Sequence, residues 1–126
     1  MVSERPDKGT VVVERRQHPR FTVELPLNYS IVEETISHGG IIADASEGGL
    51  LVYLTERIPT GTHLRIEILF VKGLELTSIK GMAKIVWSDL AARESFEEFR
   101  YGLQFQSLNE GDLDRLKTLL GEIGQT

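Results

Sequence analysis

A chain of 126 residues with a net charge of −5 has room for one globular domain and not for two ordinary ones. It contains no cysteine, so a disulfide framework and a thiolate metal site are both excluded. The N-terminal stretch lacks the basic start and apolar run of a secretory signal, and no later apolar run approaches the roughly 20 residues that cross a bilayer. A cytoplasmic protein without membrane insertion is therefore expected, and its acidic balance disfavours bulk binding to nucleic acid.

Charge is unevenly placed: residues 1–20 hold five basic and three acidic side chains, whereas residues 21–126 hold nine and sixteen. Residues 1–13 read as a loosely ordered arm, in which Val11, Val12 and Val13 could add a short strand, and residues 14–126 read as the domain. From Phe21 to Ile31 every odd position is apolar, the period-2 pattern of a half-buried strand. Pro26 within it cannot donate a ladder hydrogen bond and so belongs at an edge, a bulge or a point of strand departure. Further strands are predicted at Gly40–Ala43, Gly49–Leu54, Leu64–Val71, Ser78–Trp87 and Arg100–Ser107. In the last of these Tyr101, Leu103 and Phe105 alternate with polar residues and glycine, giving one apolar and one wet face. After Asn109, a candidate N-cap, Leu113, Leu116, Leu119, Leu120 and Ile123 recur at helical spacing and predict a C-terminal amphipathic helix. The fold class is mostly β with one helix.

Two segments carry chemistry. In Glu14-Arg15-Arg16-Gln17-His18-Pro19-Arg20 three guanidiniums are concentrated just before the first strand. Pro19 opposes a regular helix there, which leaves the arginines on a loop. A guanidinium pairs bidentately with phosphate, docks on the O6 and N7 edge of guanine and stacks on a purine face; lysine supplies only charge. The plainer reading of this segment is a solvated charge run with surface pairs to Glu14 or Glu24. The second segment is Asp44-Ala45-Ser46-Glu47-Gly48-Gly49, a turn in which paired glycines permit positive φ and close approach of a ligand. Asp44 can accept from the N1 and N2 hydrogens of guanine, while Ser46 and the turn amides can bond a base or phosphate. Alone, such a turn is more often one whose side chains cap their own backbone.

Together the segments resemble the PilZ family. Arg16-x-x-x-Arg20 matches its arginine motif, Asp44-x-Ser46-x-x-Gly49 matches its second motif, and the likeness extends over about residues 14–120, including Val86-Trp87 and Tyr101-Gly102-Leu103-Gln104-Phe105. The resemblance implies a six-stranded antiparallel β-barrel with a C-terminal α-helix. It implies a receptor for cyclic di-GMP, bound by Arg15, Arg16, Arg20, Asp44, Ser46 and Gly49, with no other cofactor. A basic residue at Arg15 is associated in the family with a stacked ligand dimer. Four phosphates against an acidic body make a third arginine useful.

The mechanism expected from this reading is an order transition of the arginine loop around the ligand, relayed to a protein partner that the sequence does not name. The alternative is a PilZ-like adaptor that binds a protein and no nucleotide. A hydrolase using Ser46 is disfavoured, since Ala45-Ser46-Glu47-Gly48 is not a G-x-S-x-G elbow and no motif pairs it with His18, His38 or His63. The histidines also lack metal-ligand spacing. Trp87 could stack on a base, but a lone tryptophan at a strand end reads more simply as packing. A nucleic-acid track would need aromatics interleaved with the arginines.

Overall fold

The computed structural model describes residues 19–90 and 99–124. Six strands and one helix follow in chain order: β1 (Phe21–Ile31), β2 (His38–Ala45), β3 (Gly49–Leu54), β4 (His63–Lys72), β5 (Glu75–Leu90), β6 (Phe99–Leu108) and α1 (Asp112–Gly124). Every neighbouring pair is antiparallel, and the strands close into a barrel in the order β1-β2-β3-β6-β5-β4. Closure leaves no continuous free edge, the usual liability of an antiparallel sheet.

Alternation explains the core. Leu27 and Tyr29 of β1, Leu50, Val52 and Leu54 of β3, and Leu64, Ile66, Ile68 and Phe70 of β4 fall at every second position and are buried. Ile79, Ala83, Ile85, Tyr101 and Leu103 complete the interior from β5 and β6. Helix α1 adds Leu116 and Leu120 to the same core, with Leu119 partly buried against it. Leu113, the first apolar residue of the predicted stripe, is exposed instead.

Pro26 pairs with Ile41 of β2, just beyond the shift in the β1–β2 register, whereas pairing of β1 with β4 begins only at Leu27. The missing N–H therefore lies where β1 leaves one partner, as its chemistry demands. The strands are longer than the sequence pattern predicts at β2, β4, β5 and β6. The largest difference is β5, which starts at Glu75 and runs to Leu90, because backbone pairing continues through residues such as Glu75, Leu76, Ser88 and Asp89, whose side chains are exposed and carry no alternation. Asn109 is not the side-chain cap expected of it. Its carbonyl accepts the Asp112 N–H at 2.9 Å, and Gly111, at φ 83°, turns the chain into the helix.

Candidate functional site

The barrel's topology brings the two sequence segments together. Arg20 directly precedes β1, and the β1–β2 register sets Phe21 opposite Ala45 and Thr22 opposite Asp44. A shift in the β2–β3 register between Ile42 and Asp44 lets Ile42 and Ala45 both face the core while Asp44 keeps partial exposure. Arg20 Nη1 lies 3.3 Å from Asp44 Oδ2, with the Arg20 side chain 41% and the Asp44 side chain 23% exposed. The second carboxylate oxygen, Oδ1, is buried with no hydrogen-bond partner among the described residues. A buried acceptor left open is a costly arrangement that a donor would relieve.

The turn after Asp44 is capped by its own serine. Ser46 N–H donates to the Gly49 carbonyl at 2.9 Å, and Ser46 Oγ accepts from the Gly48 and Gly49 amides at 3.1 and 3.2 Å. Among the described residues the glycines at positive φ are Gly61, Gly73 and Gly111, so the turn does not use the positive φ that its glycine pair permits. Gly49 is required for close approach of a different kind, since a Cβ there would collide with the Leu103 carbonyl of β6. Phe105 N–H also donates to the Gly48 carbonyl at 3.0 Å, which fixes the turn to β6. Arg20, Asp44, Ser46 and Gly49 therefore share one end of the β1–β2–β3 surface, whereas Arg15, Arg16 and His18 lie outside the described residues.

The register extends this surface sideways. Asp44 is opposite Leu51, Leu51 opposite Gly102, and Gly102 opposite Trp87. Trp87 is 38% exposed and occupies the space over Gly102, where any Cβ would strike its indole. It is thus an outer-face residue and no part of the barrel core. One pleat further along, Tyr53 is opposite Arg100 and Arg100 opposite Asp89. Arg100 Nη2 donates to Asp89 Oδ2 at 2.5 Å, and its guanidinium lies 6.0 Å from the Trp87 ring centroid. Hydrogen bonds to Asp89 and then Tyr53 raise the Arg100 pKa, so the group stays charged. Arg100 was overlooked in the sequence reading although the alternation of β6 puts it on the wet face; its pairing with Asp89 depends on a bulge that the pattern does not show.

Other polar groups are committed to the fold. Tyr29 donates to Glu56 Oε1 at 2.7 Å and stacks on His38 at 5.3 Å between centroids. The Tyr101 hydroxyl donates to the Glu56 carbonyl and accepts from Ile58 N–H, both at 2.8 Å. A hollow of about 390 Å3 lies away from Arg20, on the β1–β4–β5 side, but its charges have partners: Lys80 is 4.0 Å from Glu67 and Arg65 donates to the Val32 carbonyl. Unlike the Asp44 surface, it presents no buried polar atom lacking a partner among the described residues. Among the described residues no three His, Asp or Glu side chains converge for a metal ion, and no helix is long and apolar enough to cross a membrane.

Known proteins share this fold. The PilZ domain model matches residues 14–122. Among solved structures, the PilZ domain of YcgR from Escherichia coli, determined with c-di-GMP, superposes with a TM-score of 0.68 at 13% identity, covering 89% of this chain and 93% of that one. The Bacillus subtilis inhibitor of motility MotI/DgrA gives 0.67 at 21% identity over 82% of this chain and 48% of its own. MrkH, described as a c-di-GMP-dependent transcription regulatory factor, gives 0.70 at 17% identity over 88% and 52%. The chain thus spans about half the length of MotI and MrkH. No curated protein matches it. With the family model covering the barrel, most of the helix and both sequence motifs, the chain belongs to the PilZ domain family.

Proposed function

We propose that this protein is a receptor for cyclic di-GMP, bound on the outer face of β1, β2 and β3. The observation that carries the reading is the 3.3 Å approach of Arg20 to Asp44, which joins the arginine motif to the second motif across 24 residues of sequence. A guanine needs acceptors for N1 and N2 and donors for O6 and N7; a carboxylate beside a guanidinium supplies both kinds of partner. The open Oδ1 of Asp44 is a receiver for such a donor. Arg15 and Arg16 supply phosphate and base contacts from the preceding segment, and Arg15 favours a stacked pair of ligands. Ser46 contributes mainly by holding the turn, since its oxygen already accepts two amides, and Gly49 by letting that turn lie against β6.

Binding rearranges the Arg15–Arg20 segment over the barrel and changes the surface offered to a protein partner, which relays the signal. The ligands named for the YcgR and MrkH structures are consistent with this reading. Isothermal titration calorimetry tests it, using cyclic di-GMP on the wild type and on Arg16→Ala and Asp44→Ala, with GTP as control. The expected result is saturable binding near two ligands per chain that is lost in Arg16→Ala and strongly weakened in Asp44→Ala. A ratio near one keeps the receptor and removes the stacked pair. No heat at several temperatures from folded protein overturns the nucleotide reading in favour of a protein-binding adaptor.

A further inference from the structure

Arg100 is a described arginine of this surface to which the receptor reading gives no role. It sits on the same outer face as Asp44, two strands across and one pleat along, which for strand spacings of about 4.8 Å and a rise of about 3.4 Å per residue puts the two Cα atoms roughly 12 Å apart. Its charge is held by Asp89 at 2.5 Å, in a pair whose side chains are 40% and 50% exposed. Yet its Nε is buried and has no partner among the described residues. A guanidinium held by Asp89 and Tyr53 that still has a buried Nε–H without an acceptor is poised between alternatives, because a buried donor without an acceptor costs free energy that a new acceptor recovers. The neighbouring Trp87 ring, fixed over Gly102, walls one side of its surroundings.

Resting on the receptor reading above, we propose that Arg100 is a further ligand-binding arginine that exchanges Asp89 for a phosphate of the bound cyclic dinucleotide, so that Asp89 acts as an internal competitor that tunes affinity. A phosphate offers several acceptor oxygens and matches the planar guanidinium bidentately, which one oxygen of Asp89 does not. The exchange also moves Arg100 from an intramolecular carboxylate to a site that the ligand makes more negative. Asp89 itself bears a like charge towards the phosphates, so its removal both frees Arg100 and lessens repulsion.

The sign of the Asp89 effect separates this exchange from a merely structural role. Titrations of cyclic di-GMP into wild type, Arg100→Ala, Asp89→Asn and the double variant, each with its melting temperature recorded, provide the test. Arg100→Ala is expected to weaken binding about ten-fold or more. Asp89→Asn is expected to tighten it about two- to five-fold, the scale of an exposed ion pair. In the double variant the gain from Asp89→Asn shrinks to what repulsion alone supplies. Wild-type binding with Asp89→Asn unchanged or weaker overturns the exchange and leaves the receptor standing. No binding by wild type overturns the receptor reading and the exchange with it.

Discussion

Two tyrosine hydroxyls fasten the segment after β3 to the barrel. Tyr29 is 2% exposed and Tyr101 is 1% exposed, and both reach the Glu56–Ile58 stretch. Burial, and then the hydrogen bond to the Glu56 carboxylate, pushes the Tyr29 pKa well above the usual tyrosine range; burial also raises that of Tyr101. A phenol whose folded pKa exceeds its unfolded value contributes stability that is fully present below the unfolded pKa near 10 and is lost as pH rises towards the folded one. Denaturant midpoints measured from pH 8 to 12 are therefore expected to hold to about pH 9.5 and fall beyond it. Tyr29→Phe is expected to be less stable at neutral pH, losing its bond to Glu56, and to fall less steeply in alkali. An equally steep fall in both proteins would assign the alkaline loss to other groups.

Helix α1 is anchored at both ends by contacts that its apolar stripe does not announce. At its start, Asp112 is buried, accepts the Lys80 N–H of β5 at 2.7 Å and pairs with Arg115. At its finish, a Cβ on Gly124 would stand 2.8 Å from Phe21, the residue that follows Arg20. The helix thus rests on the root of the arginine segment. Asp112→Ala leaves the Lys80 amide without its acceptor and is expected to cost about 1–3 kcal/mol in urea unfolding, against about 2–5 kcal/mol for Leu116→Ala, which empties a core position 1% exposed. An Asp112→Ala variant as stable as wild type would show that water replaces the carboxylate at no cost. The helix itself was legible because leucines at three- and four-residue spacing advertise a buried stripe. Its anchors were not, since a buried aspartate at a helix start looks in sequence like any solvated acidic residue favoured by the helix dipole. The strands divide in the same way: β1 is readable from alternation and β3 from a short apolar run between turns, whereas Glu75–Thr77 of β5 is paired backbone with exposed or half-exposed side chains and leaves no pattern.

Across the whole molecule, strand pairing and register are what turn two weak motifs into one surface. Arg20 and Asp44 are neighbours only because β1 and β2 pair antiparallel with Thr22 opposite Asp44, and the Ser46 turn is held because β3 continues into pairing with β6. Of the candidate site's residue types, Arg20, Asp44, Ser46 and Gly49 stand in the sequence at motif spacing, and the strands set them at one end of the β1–β2–β3 surface. The internal work of Ser46 and Gly49, and the row running from Asp44 to Trp87, were not legible, because they follow from strand register and bulges that residue types do not encode. This arrangement makes a prediction about stability as well as affinity. The Arg20–Asp44 pair is partly exposed and contributes about 1 kcal/mol or less to the free protein. A ligand that binds the folded state alone adds about 2.7 kcal/mol at a free concentration 100 times its Kd. Thermal unfolding in excess cyclic di-GMP is therefore expected to shift upward on the order of 10 °C in the wild type. Arg20→Ala is expected to melt within a few degrees of the free wild type and to gain almost nothing from the ligand. A full ligand-induced shift in Arg20→Ala would remove this arginine from the site. A large loss of stability without ligand would recast Arg20 as a structural clasp between β1 and β2.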